Sequence, residues 1–196
     1  MPSEPHWQRA SGGRHAHPPG YMNLKRLGIY LNDHLLGSTV GVDLAKRTER
    51  ENRSNPVGQY LATLIPLIEQ DRATLLAVMS AVDARVDPLK VGGAWLTEKF
   101  SRLKLNGSWL RYSPLSRLVE LEGLCVGSHG RVSMWKSLAK VAAKEPRLAR
   151  FDFAFLAERA EGQLETLQML RLRATEAAFS DTSVETGEQA PVPTEA

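Results

Sequence analysis

Apolar residues recur at three- and four-residue steps along most of this chain, and the strict apolar/polar alternation of a half-buried strand is absent from it. A first helix is expected from about Asn23 to Glu51, with Leu24, Leu27, Leu31, Leu35, Ser38, Val42 and Ala45 on one stripe. Gly28, Gly37 and Gly41 weaken it by roughly 1 kcal/mol each relative to alanine, and close contact with another helix is the expected compensation. Arg53-Ser54-Asn55-Pro56 reads as a stop and restart, since Ser54 or Asn55 can cap and Pro56 suits a first helical turn. The second helix then extends to about Arg85 through Leu61, Leu64, Ile68, Leu75, Val78 and Val82. Pro66 lies inside it and predicts a kink near Ala62–Pro66, because proline removes a backbone hydrogen bond and crowds the turn before it.

The same start signal recurs at Asp87-Pro88, opening a shorter helix to about Lys104, and at Ser113-Pro114, opening a third long one. Asn106-Gly107-Ser108 between them is turn chemistry. The third long helix runs to about Lys144 on a seam of Leu118, Leu121, Cys125, Ser128, Val132, Trp135, Ala139 and Ala142, and Glu145-Pro146 ends it. A fourth is expected from about Leu148 to Phe179, with Leu156, Ala160, Gln163, Leu167, Leu170, Ala174 and Ala177 inward. Long stripes on helices of matched length predict an all-α, antiparallel four-helix bundle over residues 22–179, with a fifth, crossover helix between helices two and three. Residues 1–21 and 180–196 lack this periodicity, so a disordered arm and a disordered acidic tail are expected there. Met22, where the pattern begins, is an alternative starting point.

Two hairpins joined by a long crossover is the plan of the ferritin-like superfamily, and residues 21–179 resemble it. Locally, Tyr30-Leu31-Asn32-Asp33-His34-Leu35, Glu69-Gln70-Asp71-Arg72, Trp95-Leu96-Thr97-Glu98-Lys99, Glu158-Arg159-Ala160-Glu161 and the stretch Ser113-Pro114 to Glu122-Gly123 are similar to an uncharacterised bacterial family associated with that fold. The resemblance implies a fold and no activity. Enzymes of this superfamily hold two metals mid-bundle with a glutamate on each of two helices and Glu-x-x-His on each of the others, and that ligand set is missing here. Asp71 stands on the second stripe with Thr74, and not histidine, three residues on, while Gln163 and Thr166 take the corresponding places in the fourth helix.

The mid-helix polar residues are nevertheless grouped. His34, Asp71, Ser128, His129 and Gln163, with Glu122 flanking, fall at one level if the helices are aligned and antiparallel. An inward Asp or Gln must be hydrogen-bonded, so an internal network fixing helix register is the first reading of this central polar layer. An organic-ligand pocket at the same level is the next. No cofactor is expected; a single metal ion on His34, Asp71, Glu122 and His129 is the remaining alternative, which would make the protein a metal-dependent oxidoreductase with a reduced ligand set.

Composition adds location and partners. Among 196 residues there is one cysteine, Cys125, which sits in an apolar seam, and the first thirty residues contain no stretch of signal-peptide length. No apolar run approaches the roughly 20 residues of a membrane span, so a cytoplasmic protein without membrane attachment is expected. The net charge of +3 conceals an uneven distribution. Lys90, Lys99, Arg102, Lys104, Arg111 and Arg117 outweigh Glu98, whereas Asp181, Glu185, Glu188 and Glu195 make the tail acidic. Lys99, Arg102 and Lys104 stand near Trp95, Phe100 and Trp109, a combination that suits nucleic-acid contact, although such aromatics more often pin a crossover helix to its bundle. The preferred reading is therefore a non-enzymatic interaction or small-ligand-binding protein, self-associating or bound to a protein partner. A basic nucleic-acid-associated protein is the competing class.

Overall fold

The computed structural model describes residues 22–88 and 112–180. Four long helices account for most of them: α1 (Leu24–Glu51), α2 (Pro56–Ala81), α3 (Pro114–Ala142) and α4 (Phe153–Phe179), with a 3-10 turn at Pro146–Leu148. No strand occurs among the described residues. The expected fifth helix falls outside them beyond Pro88, as do the N-terminal arm and all of the acidic tail but Ser180.

Each start is made by a side chain that accepts a hydrogen bond from the unpaired N–H groups of a first turn. Asn23 accepts from Arg26 N at 3.0 Å, Ser113 from Ser116 N at 3.1 Å and Asp152 from Phe155 N at 2.9 Å. Asn55 accepts from both Val57 N and Gly58 N, at 2.9 and 3.4 Å. The fourth helix thus begins at Phe153, five residues later than the Leu148 expected. Leu148 instead is fully buried in the turn, plugging the core, and Asp152 supplies the cap. The second helix stops at Ala81, short of Arg85, because Asn32 of α1 captures the backbone beyond it. Its Nδ2 donates to Arg85 O at 2.9 Å and its Oδ1 accepts from Asp87 N at 2.7 Å. Asp83, in the turn, takes a left-handed φ of 55°. Pro66 leaves α2 a single helix; it and Ala62, whose carbonyl loses its partner, both face solvent, where water can replace the missing bond.

The helices form a ring in which α1 packs on α2 and α3, and α4 packs on α3 and α2. All four neighbouring pairs are antiparallel, as cross-links along their length show. Thr39 meets Arg72 and Lys46 meets Glu69; Arg47 meets Glu120 and Asn52 meets Tyr112. Arg131 meets Gln163 and Lys136 meets Glu161; Tyr60 meets Gln163 and Asp71 meets Arg159. The end of α2 and the start of α3 therefore lie at opposite ends of the ring, separated by about 39 Å for a 26-residue helix at about 1.5 Å per residue.

The interior is divided. One apolar cluster gathers Leu31, Leu35, Leu75, Met79, Trp135, Leu138, Leu148 and Phe153, with Trp135 stacked on Phe153 at 6.0 Å. The other gathers Leu44, Ala45, Leu61, Leu64, Leu121 and Leu167. Between them, at the level of Gly37–Gly41 on α1, Asp71 on α2 and Gly127–Arg131 on α3, the apolar packing is interrupted.

Candidate functional site

The interruption is organised around Asp71, whose side chain is 3% exposed. A carboxylate so deep requires charged partners, and two guanidiniums provide them. Arg159, on α4, places Nη2 2.5 Å from Oδ1, and Arg131, on α3, places Nη1 3.1 Å from Oδ2. Arg131 also donates from Nη2 to Gln163 Oε1 at 2.7 Å, and Arg159 from Nη1 to Gln70 Oε1 at 3.1 Å. Tyr60 closes the group by donating to the Gln163 carbonyl at 3.0 Å.

The charges do not balance: two guanidiniums meet one carboxylate. The Arg131–Asp71 contact lacks hydrogen-bond alignment, and the N–H groups at Arg131 Nε, Arg159 Nε and Gln163 Nε2 are buried without an acceptor. Arg131, with only 12% of its side chain exposed, shows the result. Burial holds its guanidinium below the usual arginine range, and the attraction of Asp71 opposes this without cancelling it.

Beside this group lies a cavity of about 190 Å³ between α1, α2 and α3. Val42, Leu64, Ile68, Leu75, Leu124 and Met134 make its apolar walls; His34, Ser38, Asp71, Arg72, Ser128 and Arg131 add the polar ones. Glycines open it. A β-carbon added at Gly37, Gly41, Gly127 or Gly130 would meet nothing within 4 Å, whereas one at Gly123 would reach Leu44 Cδ2 at 3.0 Å. The close helix contact expected at Gly37 and Gly41 is thus absent, and these residues border space. Only Gly28 behaves nearly as expected, with Ala84 Cβ 3.6 Å from its added carbon.

The central polar layer foreseen from the sequence divides in two. Asp71 and Gln163 are brought together through Arg131, and His34 and Ser128 line the adjoining cavity with Asp71. His34 is half-buried against the edge of Tyr30, 4.5 Å away, and burial lowers its pKa against the pull of Asp33. Glu122 and His129 are exposed and do not belong to the layer. With Leu121 and Ser128 turned inward, the residue after each is rotated about 100° around the helix, out of the seam. The four ligands imagined for a metal therefore do not converge, and the described residues contain no group of three or more His, Cys, Asp or Glu arranged to hold one. Lys99, Arg102 and Lys104, the residues considered for nucleic-acid contact, lie outside the described residues.

Arg131 and Arg159 escaped the sequence reading because arginine is ordinarily a surface residue. Their spacing carried a signal, for Arg131 follows Ser128 by three and Arg159 precedes Gln163 by four, each one turn along an inward seam. A second unforeseen cluster ties the end of α1 to the start of α3. Tyr112 donates to Glu120 Oε2 at 2.9 Å and accepts from Asn52 Nδ2 at 2.7 Å, while Arg117 Nε donates to Asn52 Oδ1 at 2.5 Å. Arg47 completes it, its Nε 3.0 Å from Glu120 Oε1. Burial pushes the Tyr112 hydroxyl well above the usual tyrosine range. Its polar groups are mutually engaged, so this cluster is a clasp between helices.

Fold and site together define an all-helical bundle with a glycine-bordered cavity beside a buried, positively charged group. Among the described residues no helix is long and apolar enough to cross a membrane. No protein-family model, curated protein or solved structure matches the chain.

Proposed function

We propose that this chain is a non-enzymatic, ferritin-like helical bundle that binds a small organic molecule in the cavity between α1, α2 and α3. The cavity carries the reading. Glycine inside a helix costs roughly 1 kcal/mol relative to alanine, and Gly37, Gly41, Gly127 and Gly130 return none of this through close packing. All four stand on the cavity wall, Gly41 and Gly130 half-buried within it and Gly37 and Gly127 at its exposed rim. Its volume, about 190 Å³, exceeds the roughly 150 Å³ known to hold benzene and falls short of the roughly 300 Å³ where drug-sized sites begin. A molecule of six to ten non-hydrogen atoms is the matching scale.

The ferritin-like part of the proposal is supported by the order of the ring, its antiparallel neighbours and the placement of the end of α2 and the start of α3 at opposite ends of it. The alternative of a metal-dependent oxidoreductase gains nothing from the geometry, because both Asp71 oxygens already face guanidiniums that would repel a cation.

Binding is testable on the full chain with 1-hexanol and toluene as probes, followed by calorimetry and thermal unfolding. Saturable binding is expected, with a stabilisation of about 2.7 kcal/mol at a hundredfold excess over Kd. The variant Gly41→Leu/Gly127→Leu, which fills the space, should retain its helical circular dichroism and lose the shift. Absence of saturable binding, or undiminished binding to the filled variant, would overturn the reading.

A further inference from the structure

We infer that the cavity selects an anion, specifically a small carboxylic acid whose carboxylate lies at the Arg131 and Arg72 side and whose apolar body lies against Leu64, Ile68 and Leu124. This rests on the cavity being a ligand site at all, and it adds the chemical class of the occupant.

The charges bordering the cavity are uneven. Arg72 and Arg131 line it against Asp71 alone. Behind Arg131, Arg159 spends its charge on the same carboxylate. Arg72 has a long 3.4 Å bond from Nε to Thr39 Oγ1, and no carboxylate among the described residues lies within ion-pair distance of it. Two acids within a turn of the group are engaged elsewhere: Glu69, three residues before Arg72, with Lys46, and Glu161, two residues after Arg159, with Lys136. His34, on the α1 wall, is held toward its neutral form by burial and adds neither sign near pH 7.

An unbalanced guanidinium in a dry setting is expensive, because its lost hydration is repaid only by a close counter-charge. The apolar walls screen its field less than bulk water does, so an anion entering this solvent-open cavity meets a stronger attraction than at the surface. Arg72 reaches solvent, so the dry part of the site carries one uncompensated positive charge. A monoanion neutralises it, whereas a phosphate dianion would exceed it. The Arg72 guanidinium presents parallel donors that match the plane of a carboxylate, and Ser128 adds a hydroxyl to the same walls. Arg131, whose Nε and Nη1 are buried, acts through its charge, and the Ser38 hydroxyl is already given to the Leu35 carbonyl. The remaining lining is apolar, which requires an apolar body behind the charged end.

The test compares hexanoate, 1-hexanol and hexylammonium, three probes of one size and different charge, by calorimetry on the full chain at pH 7.5. Hexanoate should bind at least tenfold more tightly than 1-hexanol, and hexylammonium more weakly than either. The preference should fall below threefold in Arg131→Met, in which Asp71 keeps Arg159, and be partly restored in Arg131→Lys. Arg72→Met, altered at the solvent side of the cavity, should reduce the preference as well and covers the case in which Arg131→Met does not fold. Equal binding of hexanoate and 1-hexanol would overturn the inference while leaving the cavity as a neutral apolar site. Tighter binding of hexylammonium would likewise overturn it. Binding of none of the three would remove the ligand site itself.

Discussion

Asp71 is the residue on which the mid-section depends. It is the sole carboxylate between Arg131 and Arg159, so removing its charge leaves two buried guanidiniums facing each other. Stripping one partner from a buried ion pair costs about 3–5 kcal/mol, and Asp71→Asn should lose an amount in that range in urea unfolding. Arg159→Met should cost less, because Asp71 retains Arg131 and Arg159 is itself 20% exposed. A loss near zero for Asp71→Asn would contradict the burial described. Asp71 and Gln163 were legible as inward polar residues from their place on the stripes. Their partners were not, because an arginine's long side chain can turn in from the edge of a helix face or reach out from it, and sequence spacing does not fix which.

Helix boundaries show a similar mixture. Asn55-Pro56 and Ser113-Pro114 state their own starts, since the cap and the first-turn proline act within a few residues of each other. The end of α2 and the start of α4 depended on Asn32 and on Leu148, which act across the fold, and those two boundaries were misplaced. Glycines make the sharpest test at this scale. A β-carbon at Gly58 would collide with the Asn52 carbonyl where α1 turns into α2, so Gly58→Ala should destabilise by about 1–3 kcal/mol. Gly37→Ala, with nothing near its added carbon, should instead stabilise by about 0.5–1 kcal/mol. Chemical denaturation of both variants gives the two signs. The same composition, a helical glycine, has opposite consequences according to what lies opposite it.

Across the whole molecule the seams are unequal. α3 and α4 share the most extensive contact, and α2 and α4 the least, with Tyr60, Gln70 and Asp71 supplying polar links across the latter. Protection from hydrogen exchange follows the depth of packing. Amides of α3 around Trp135 and Leu138 and of α4 around Ala160 should therefore exchange at rates close to global unfolding. Those of α2 flanking Pro66 should exchange through smaller openings, since the helix lacks one bond there and faces solvent on that side. Exchange measured by mass spectrometry on the intact chain would contradict this if α2 proved the most protected helix.

The sequence by itself determined the class of the fold. Helical periodicity, caps and first-turn prolines are local properties, set within a turn or two of chain, and they placed four long helices with two short connections. It also determined that something polar would sit at mid-height, because an Asp and a Gln stood where only apolar residues belong. Only the tertiary structure decided what that layer is: a carboxylate between two guanidiniums, with a glycine-bordered space beside it. Charge balance and empty volume are sums over several helices, and no single stretch of chain contains them.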